Sequence, residues 1–228
     1  MTNDKRLMTN YNDAYFNAQL YKSDEKIAWQ YGSLIKFAGV NSPDARILDA
    51  GCGAGPALRF LNQRGFLPYG TDFVEYPLVQ AHQLVPSARL AQCNLDRPLP
   101  FREGAFELIL LSEVVEHLAD PEFSLRECLR VLRVGGAVAL TTPNLWDLRR
   151  RYYPLLGKVW SGDADATHRS LFNPQTLRDL LTRVGFKNIR VRAGFKPTHW
   201  ISSRRLKIRA AIPGLPVIGN TLVAAGFK

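Results

Sequence analysis

Within "SEVVEHL", residues 112–118, two carboxylates and an imidazole fall at i, i+3 and i+4: Glu113, Glu116 and His117. On a helix that spacing puts all three on one face. Such a set could move protons or hold a divalent cation, and it could equally be polar residues of a helix start that orient a loop. A second stretch, "ILDAGCGAG" at 47–55, carries Ile47-Leu48 into Asp49 and then into glycines and small side chains. A strand that ends in Gly51-x-Gly53-x-Gly55 and turns into a helix offers bare backbone N–H groups where a ligand can approach closely. Asp72 ends the next apolar run, in "YGTDF", where a carboxylate can accept both hydroxyls of a ribose. Together the loop and the acid imply a nucleoside. A dinucleotide loop of the GxGxxG type would need glycine at position 56, which is Pro56, so a nucleoside without a pyrophosphate fits better.

These residues need elements to position them. From Arg46 onward, short apolar runs alternate with helical patterns: strand 46–50, helix 56–64, strand 67–72, helix 75–84, strand 88–93, strand 106–112, helix 121–132 and strand 136–142. Pro56 suits the first turn of its helix. Strands and helices taking turns predict an α/β fold: a Rossmann-like, doubly wound, mostly parallel sheet with helices on both faces. Residues 11–38 read as one or two leading helices. After Pro143-Asn144 the alternation breaks into a basic, aromatic insertion, 145–170, the expected place for substrate-specific structure. The pattern resumes with helix 174–184, capped by Gly185, and strand 187–193, and "NTLVAAGF" could return as a last strand beside it.

With 228 residues, 46% apolar and 22% charged, the chain can bury a sizeable core. No apolar run reaches the roughly 18–20 residues of a bilayer span and "MTNDKRLMTN" has no apolar leader core, so the expected compartment is the cytoplasm. Cys52, Cys93 and Cys128 match neither a disulfide framework nor a zinc site. The net charge of +10 is unevenly placed: residues 1–143 hold 14 Lys and Arg against 16 Asp and Glu, whereas residues 144–228 hold 16 against 4. That asymmetry suggests contact with something anionic, against the plainer reading of a solvated basic face.

Over roughly residues 11–192 the sequence resembles the class I S-adenosylmethionine-dependent methyltransferases. "ILDAGCGAG", "GTDF", "CNLDRPLPFREGAFELILLSEVVEHLADP" and "LRVGGAVALTTPN" stand where that family has its motifs. The resemblance implies a seven-stranded sheet and S-adenosylmethionine as cofactor. It places Asp49, Gly51, Cys52 and Gly53 at the methionine part, Asp72 at the ribose, Phe73 at the adenine face and Asn94-Leu95 at the adenine edge, with Ser112 also among the cofactor contacts. Asn94 and Glu107 depart from the aspartates usual there; the Asn94 amide oxygen can still accept from an adenine amino group. "DAYFN", the ExxEH stretch and "HRSLFNPQTLRDLLTRVGF" resemble a subgroup of ubiquinone-pathway and sugar or lipid O-methyltransferases. In it Tyr15 and Phe16 would close over the methionine end, within a helical lid at 1–40 ahead of a methyltransferase domain at 41–228; as a packing pair on an amphipathic helix they are equally well explained.

By the same resemblance the expected activity is methyl transfer to a hydroxyl of a small-molecule, lipid or glycan acceptor, with His117 or His168 as base and Glu116 beside them. Relatives with a similar motif bind Mg²⁺, which would make Glu113, Glu116, His117 and His168 the ligand set. His82 and His199 have no such context. The clusters Arg149-Arg150-Arg151, beside Tyr152-Tyr153 and Trp160, and Arg204 to Arg209 leave three partners open. They are an anionic acceptor clamped by arginines, a membrane surface met by 204–209 within the basic segment 200–228, and RNA as the leading alternative acceptor. A cofactor-binding protein without turnover is a third class. The sequence is silent on oligomeric state.

Overall fold

The computed structural model describes residues 24–194 and 219–228. Seven strands form one sheet among them: β1 (Arg46–Ala50), β2 (Leu67–Asp72), β3 (Arg89–Gln92), β4 (Phe106–Ser112), β5 (Leu132–Pro143), β6 (Lys187–Gly194) and β7 (Thr221–Phe227). Their order is β3-β2-β1-β4-β5-β7-β6. The first five are parallel, and β7 runs antiparallel between β5 and β6. The expected α/β doubly wound sheet is therefore present, including "NTLVAAGF" as the returning strand.

The apolar run "LILL" at 108–111 makes β4 a strand buried on both sides. Leu108 and Leu110 face helices α1 (Asp24–Ala38) and α2 (Pro56–Asn62), packing with Leu34, Ile35, Phe60 and Leu61. Ile109 and Leu111 face the opposite helices, α4 (Pro121–Val131) and α7 (Pro174–Val184), with Leu125, Cys128, Leu177 and Leu181. Helix α3 (Glu75–Leu84) closes a smaller cluster in which Leu78 and Ala81 meet Leu58 and Cys52. Two of these helices show their limits in the sequence. In α7, Asn173 and Thr176 form a reciprocal capping box ahead of Pro174, and Gly185 ends the helix at φ 109°. In α4, Asp120 accepts from Phe123 N–H with Pro121 at the first turn.

Three features differ from expectation. Strand β5 begins at Leu132, directly after α4, because Leu132 pairs with Phe106 before a bulge restores register at Leu108 and Ala137. The insertion is not one loop: it holds the short helices α5 (Leu148–Tyr152) and α6 (Ser161–Ala164) and a 3₁₀ turn at Pro154–Leu156. "SEVVEHL" is not an α-helix start either. Only Val115–His117 form a turn, of 3₁₀ type, and Glu113 before it sits at φ 58°. The described part of the 1–40 region, α1, lies on the sheet with Leu34 fully buried. Tyr15, Phe16, the residues before Asp24, His199 and the 204–209 cluster lie outside the described residues.

Candidate functional site

Strands β2 and β3 extend the sheet one way from β1, whereas β4 and β5 extend it the other way. The carboxyl ends of β1 and β4 are thus the point where the winding reverses, and a crevice opens there in sheets of this kind. Every sequence-predicted cofactor residue among the described residues lies on β1, β2 or β4 or on the loops after β1, β2 and β3.

The glycine loop is shaped by backbone geometry. Gly51, Gly53 and Gly55 adopt φ 85°, 52° and 87°, values that side chains beyond glycine rarely take. A Cβ on Gly51 would lie 2.7 Å from Val114 Cγ2, and one on Gly55 would lie 2.9 Å from Ala81 Cβ. Three of the loop's N–H groups, expected to be bare, are spent on β2: Gly51 and Cys52 donate to Thr71 O at 2.7 and 2.9 Å, and Gly53 donates to Asp72 Oδ2 at 2.9 Å. What the glycines supply is close approach and the turn itself.

Asp72 therefore has two tasks. Its Oδ1 also accepts from Val74 N–H at 3.0 Å, so the carboxylate ties the loop after β1 to the loop after β2. Burial pushes its carboxyl above the ordinary range, and the N–H groups of Val74, Gly53 and Phe73 oppose that rise. A carboxylate offers about four lone-pair sites, so capacity remains for a vicinal diol. Asp49 is buried at the end of β1, and Cys52 is buried beside it. Burial, with Asp49 and Asp72 nearby, holds the Cys52 thiol well above its usual value, which keeps it protonated and inert.

At the residues expected to meet the adenine, Gln92 donates to Phe73 O at 3.0 Å, and Leu95 packs against the core. The Asn94 oxygen, expected to face an adenine amino group, accepts from Asp96 N–H at 2.9 Å. Asp96 Oδ1 in turn accepts from Ala119 and Asp120 N–H at 2.9 and 3.1 Å, joining this loop to the segment after His117. Ser112, at the end of β4, lies within 3.2 Å of Thr141 Oγ1 and accepts from Gln30 of α1. Tyr31 of α1 is buried, and burial, then Asp49, holds its phenol well above the usual range. Gln30 and Tyr31 were missed by sequence reasoning; "AWQYG" reads as ordinary helix, and only packing of α1 across the sheet brings them to the strand end.

Glu116, His117 and His168 come together across some fifty residues of chain, each offering a ligand atom within 4.8 Å of the others. Glu113 is not in that group. The shared helical face expected for Glu113, Glu116 and His117 fails because Glu113 adopts a left-handed conformation and the turn after it is 3₁₀. The connection after β5 closes this side. Glu116 O accepts from Arg169 and Ser170 N–H at 2.8 and 3.1 Å, and the rings of His117 and His168 lie 4.9 Å apart. Burial, then the neighbouring His168, lowers the His117 imidazole from its usual value, leaving it neutral near pH 7. The arginine row of the connection is partly engaged: Arg149 pairs with Asp147 and Arg150 with Asp163. Asp147 is buried and also accepts from Trp160 Nε1 at 2.8 Å.

A family model described as a methyltransferase domain matches residues 23–191. A ubiquinone biosynthesis O-methyltransferase of Pseudomonas fluorescens is 33% identical over 109 residues, 46% of this chain and 47% of that protein. One from Pseudomonas aeruginosa is 34% identical over 103 residues, 43% of this chain and 44% of that protein. The alignments thus span a little under half of these curated relatives. A methyltransferase of Archaeoglobus fulgidus described as S-adenosylmethionine-dependent shares the fold at TM-score 0.66 and 19% identity, covering 93% of this chain and 98% of that one. Another such protein, from Thermotoga maritima and described as a possible histamine N-methyltransferase, does so at 0.62 and 19%, covering 89% and 91%. With the family match running over most of its length, and the winding reversal between β1 and β4, the glycine loop and Asp72 where the motifs lead, this chain belongs to the methyltransferase-domain family.

Proposed function

We propose that the protein transfers a methyl group from S-adenosylmethionine to a hydroxyl of a small-molecule acceptor. One observation carries this reading. Asp72 and the glycine loop, which suit a nucleoside, share the carboxyl edge of the sheet with the cluster of Glu116, His117 and His168, which suits an acceptor proton. The cofactor fits the residues present: a desolvated carboxylate with spare lone pairs for the ribose hydroxyls, and a loop without side chains for close approach. When bound, it supplies an activated sulfonium methyl. The protein's own contribution is orientation of the acceptor oxygen and removal of its proton, for which neutral His117 is the base, with His168 and Glu116 beside it.

A cation at the same cluster is the second reading, favoured by the three ligand atoms gathered there. Two imidazoles with one carboxylate suit a first-row transition ion better than Mg²⁺, which prefers oxygen ligands. Glu116, His117 and His168 would hold it, and it would supply Lewis acidity to the acceptor oxygen.

Calorimetry with S-adenosylmethionine and with its demethylated product tests the cofactor. Saturable binding of both is expected, and binding of a nicotinamide dinucleotide instead would overturn the assignment. Loss of methyl transfer on treatment with a chelator, restored by Mn²⁺, would select the cation reading over direct proton removal.

The connection after β5 supports a peripheral membrane contact as the partner. Leu155, Val159 and Leu156 are 85%, 67% and 61% exposed, beside Arg151 and Lys158. Apolar side chains set among cations on a surface segment are what an anionic lipid surface attracts. Co-sedimentation with phosphatidylglycerol vesicles, lost in a Leu155→Asp, Leu156→Asp variant, is expected. Salt-dependent retention on RNA in its place would return the acceptor reading to RNA. No helix among the described residues is long and apolar enough to cross a membrane.

A further inference from the structure

The connection that brings His168 to the site also holds the ring of His117, through Thr167. Thr167 Oγ1 lies 2.6 Å from Asp165 Oδ1 and 2.9 Å from His117 Nδ1. Thr167 N–H also donates to Asp165 Oδ1 at 2.9 Å. Asp165 Oδ1 thus accepts from both the hydroxyl and the N–H of Thr167. The single hydroxyl proton of Thr167 must then go to Asp165, and its oxygen is left to accept from His117. The Thr167 carbonyl, 3.3 Å from the same Nδ1, can likewise only accept. Both contacts require a proton on His117 Nδ1.

His168 is fixed in the same sense. Its Nδ1 lies 2.7 Å from the carbonyl oxygen of Gly162, an acceptor that again demands a proton on Nδ1. Asp165 Oδ2 lies 3.7 Å from Nε2 of the same ring. One connection, residues 162–168, thus sets the tautomers of two imidazoles contributed by different parts of the chain.

We infer that Thr167, anchored by Asp165, is a positioning residue that locks His117 in the Nδ1–H tautomer, so that Nε2 is the atom His117 presents to the acceptor proton or to a cation. The inference rests on the reading of His117 as an acceptor-side group, and it serves both forms of that reading, because a base and a ligand each need the same lone pair. The lock deepens the proposed function by naming the atom and what holds it.

The test is nitrogen-15 NMR of the imidazoles in the full chain, with His117→Gln to assign the signal, in the wild type and in Thr167→Val and Thr167→Ser. In the wild type His117 is expected to show a protonated Nδ1 and an unprotonated Nε2. Valine keeps the shape and removes the hydroxyl, so the ring should populate both tautomers; serine should restore the wild-type pattern. Methyl transfer in Thr167→Val should fall about 10–100-fold with S-adenosylmethionine affinity unchanged, and serine should recover it. A proton on Nε2 in the wild type, or an unaltered tautomer in Thr167→Val, overturns the inference, and the wild-type spectrum decides its first half even if the valine variant fails to fold. Full activity in His117→Ala with the tautomer as expected would instead refute the reading of His117 while leaving the lock standing.

Discussion

The half of the crevice proposed here for the cofactor and the half proposed for the acceptor share one sheet edge but are built in different ways. Around β1 and β2 the parts are successive strands, the loops that follow them and backbone hydrogen bonds: Gly51 and Cys52 to Thr71 O, Gly53 to Asp72. Around the 3₁₀ turn after β4 the parts are side chains from distant segments, His117 and His168, held by Thr167 and Gly162 of an insertion. The first half is a property of the fold, and the second is a property of one connection. A fold can keep its cofactor while changing its acceptor because the two depend on different residues.

That comparison predicts a separation of effects. His117→Ala should lower methyl transfer about 10²–10⁴-fold, the range for removing a general acid or base, with S-adenosylmethionine affinity unchanged by calorimetry. Equal losses in turnover and affinity would merge the two halves. Asp72→Ala is the converse. It removes the charged acceptor of Gly53 and Val74 N–H and of the ribose together, and should weaken S-adenosylmethionine binding by about 1.5–3 kcal/mol or more. Binding within twofold of wild type would take the carboxylate out of the cofactor site.

Gly51→Ala asks whether the cofactor half is held by backbone shape. Alanine there meets φ 85° and the Val114 side chain at 2.7 Å, a combination expected to cost about 1–3 kcal/mol, read as a lowered unfolding midpoint in denaturant. Adding Val114→Ala should relieve the collision but not the backbone strain, so recovery should be partial. Full recovery would make side-chain contact, not the left-handed turn, the reason for glycine.

The same division explains what the sequence made legible. Strand–loop–helix units carry their own signals, so Pro56 and Gly185 marked element ends that the structure repeats. Asp72 was readable because it ends the strand after the glycine loop. The pairing of His117 with His168 came from resemblance rather than spacing, since no local periodicity links residues fifty apart. Glu113 was misplaced because the i, i+3, i+4 rule presumes an α-helix, and "SEVVEHL" leaves β4 through a left-handed residue instead. Gln30 and Tyr31 were invisible because their role depends on how α1 crosses the sheet.

Glu107 sharpens the contrast from the far end of the sheet, where neither half of the crevice is involved. It stands at the amino end of β4, and its carboxylate accepts from Arg46 N–H at 2.7 Å and from the Arg46 guanidinium at 2.9 and 3.2 Å, with Arg133 at 3.3 Å. The longer glutamate in place of the aspartate usual in the family is thus a clamp between β1 and β4. Burial works to raise its carboxyl, and Arg46 with Arg133 outweighs that and holds it below the ordinary value of 4.5. A folded-state value below the unfolded one means the clamp stabilises fully above about pH 4.5 and is lost as pH falls through the depressed folded value. Glu107→Gln should therefore cost about 1–2 kcal/mol near neutral pH, with the deficit shrinking toward zero in acid as the wild-type carboxyl becomes neutral too. Affinity for S-adenosylmethionine should be unchanged throughout. A deficit that persisted below the folded value would mean that shape, and not the charged hydrogen bonds, is what Glu107 contributes.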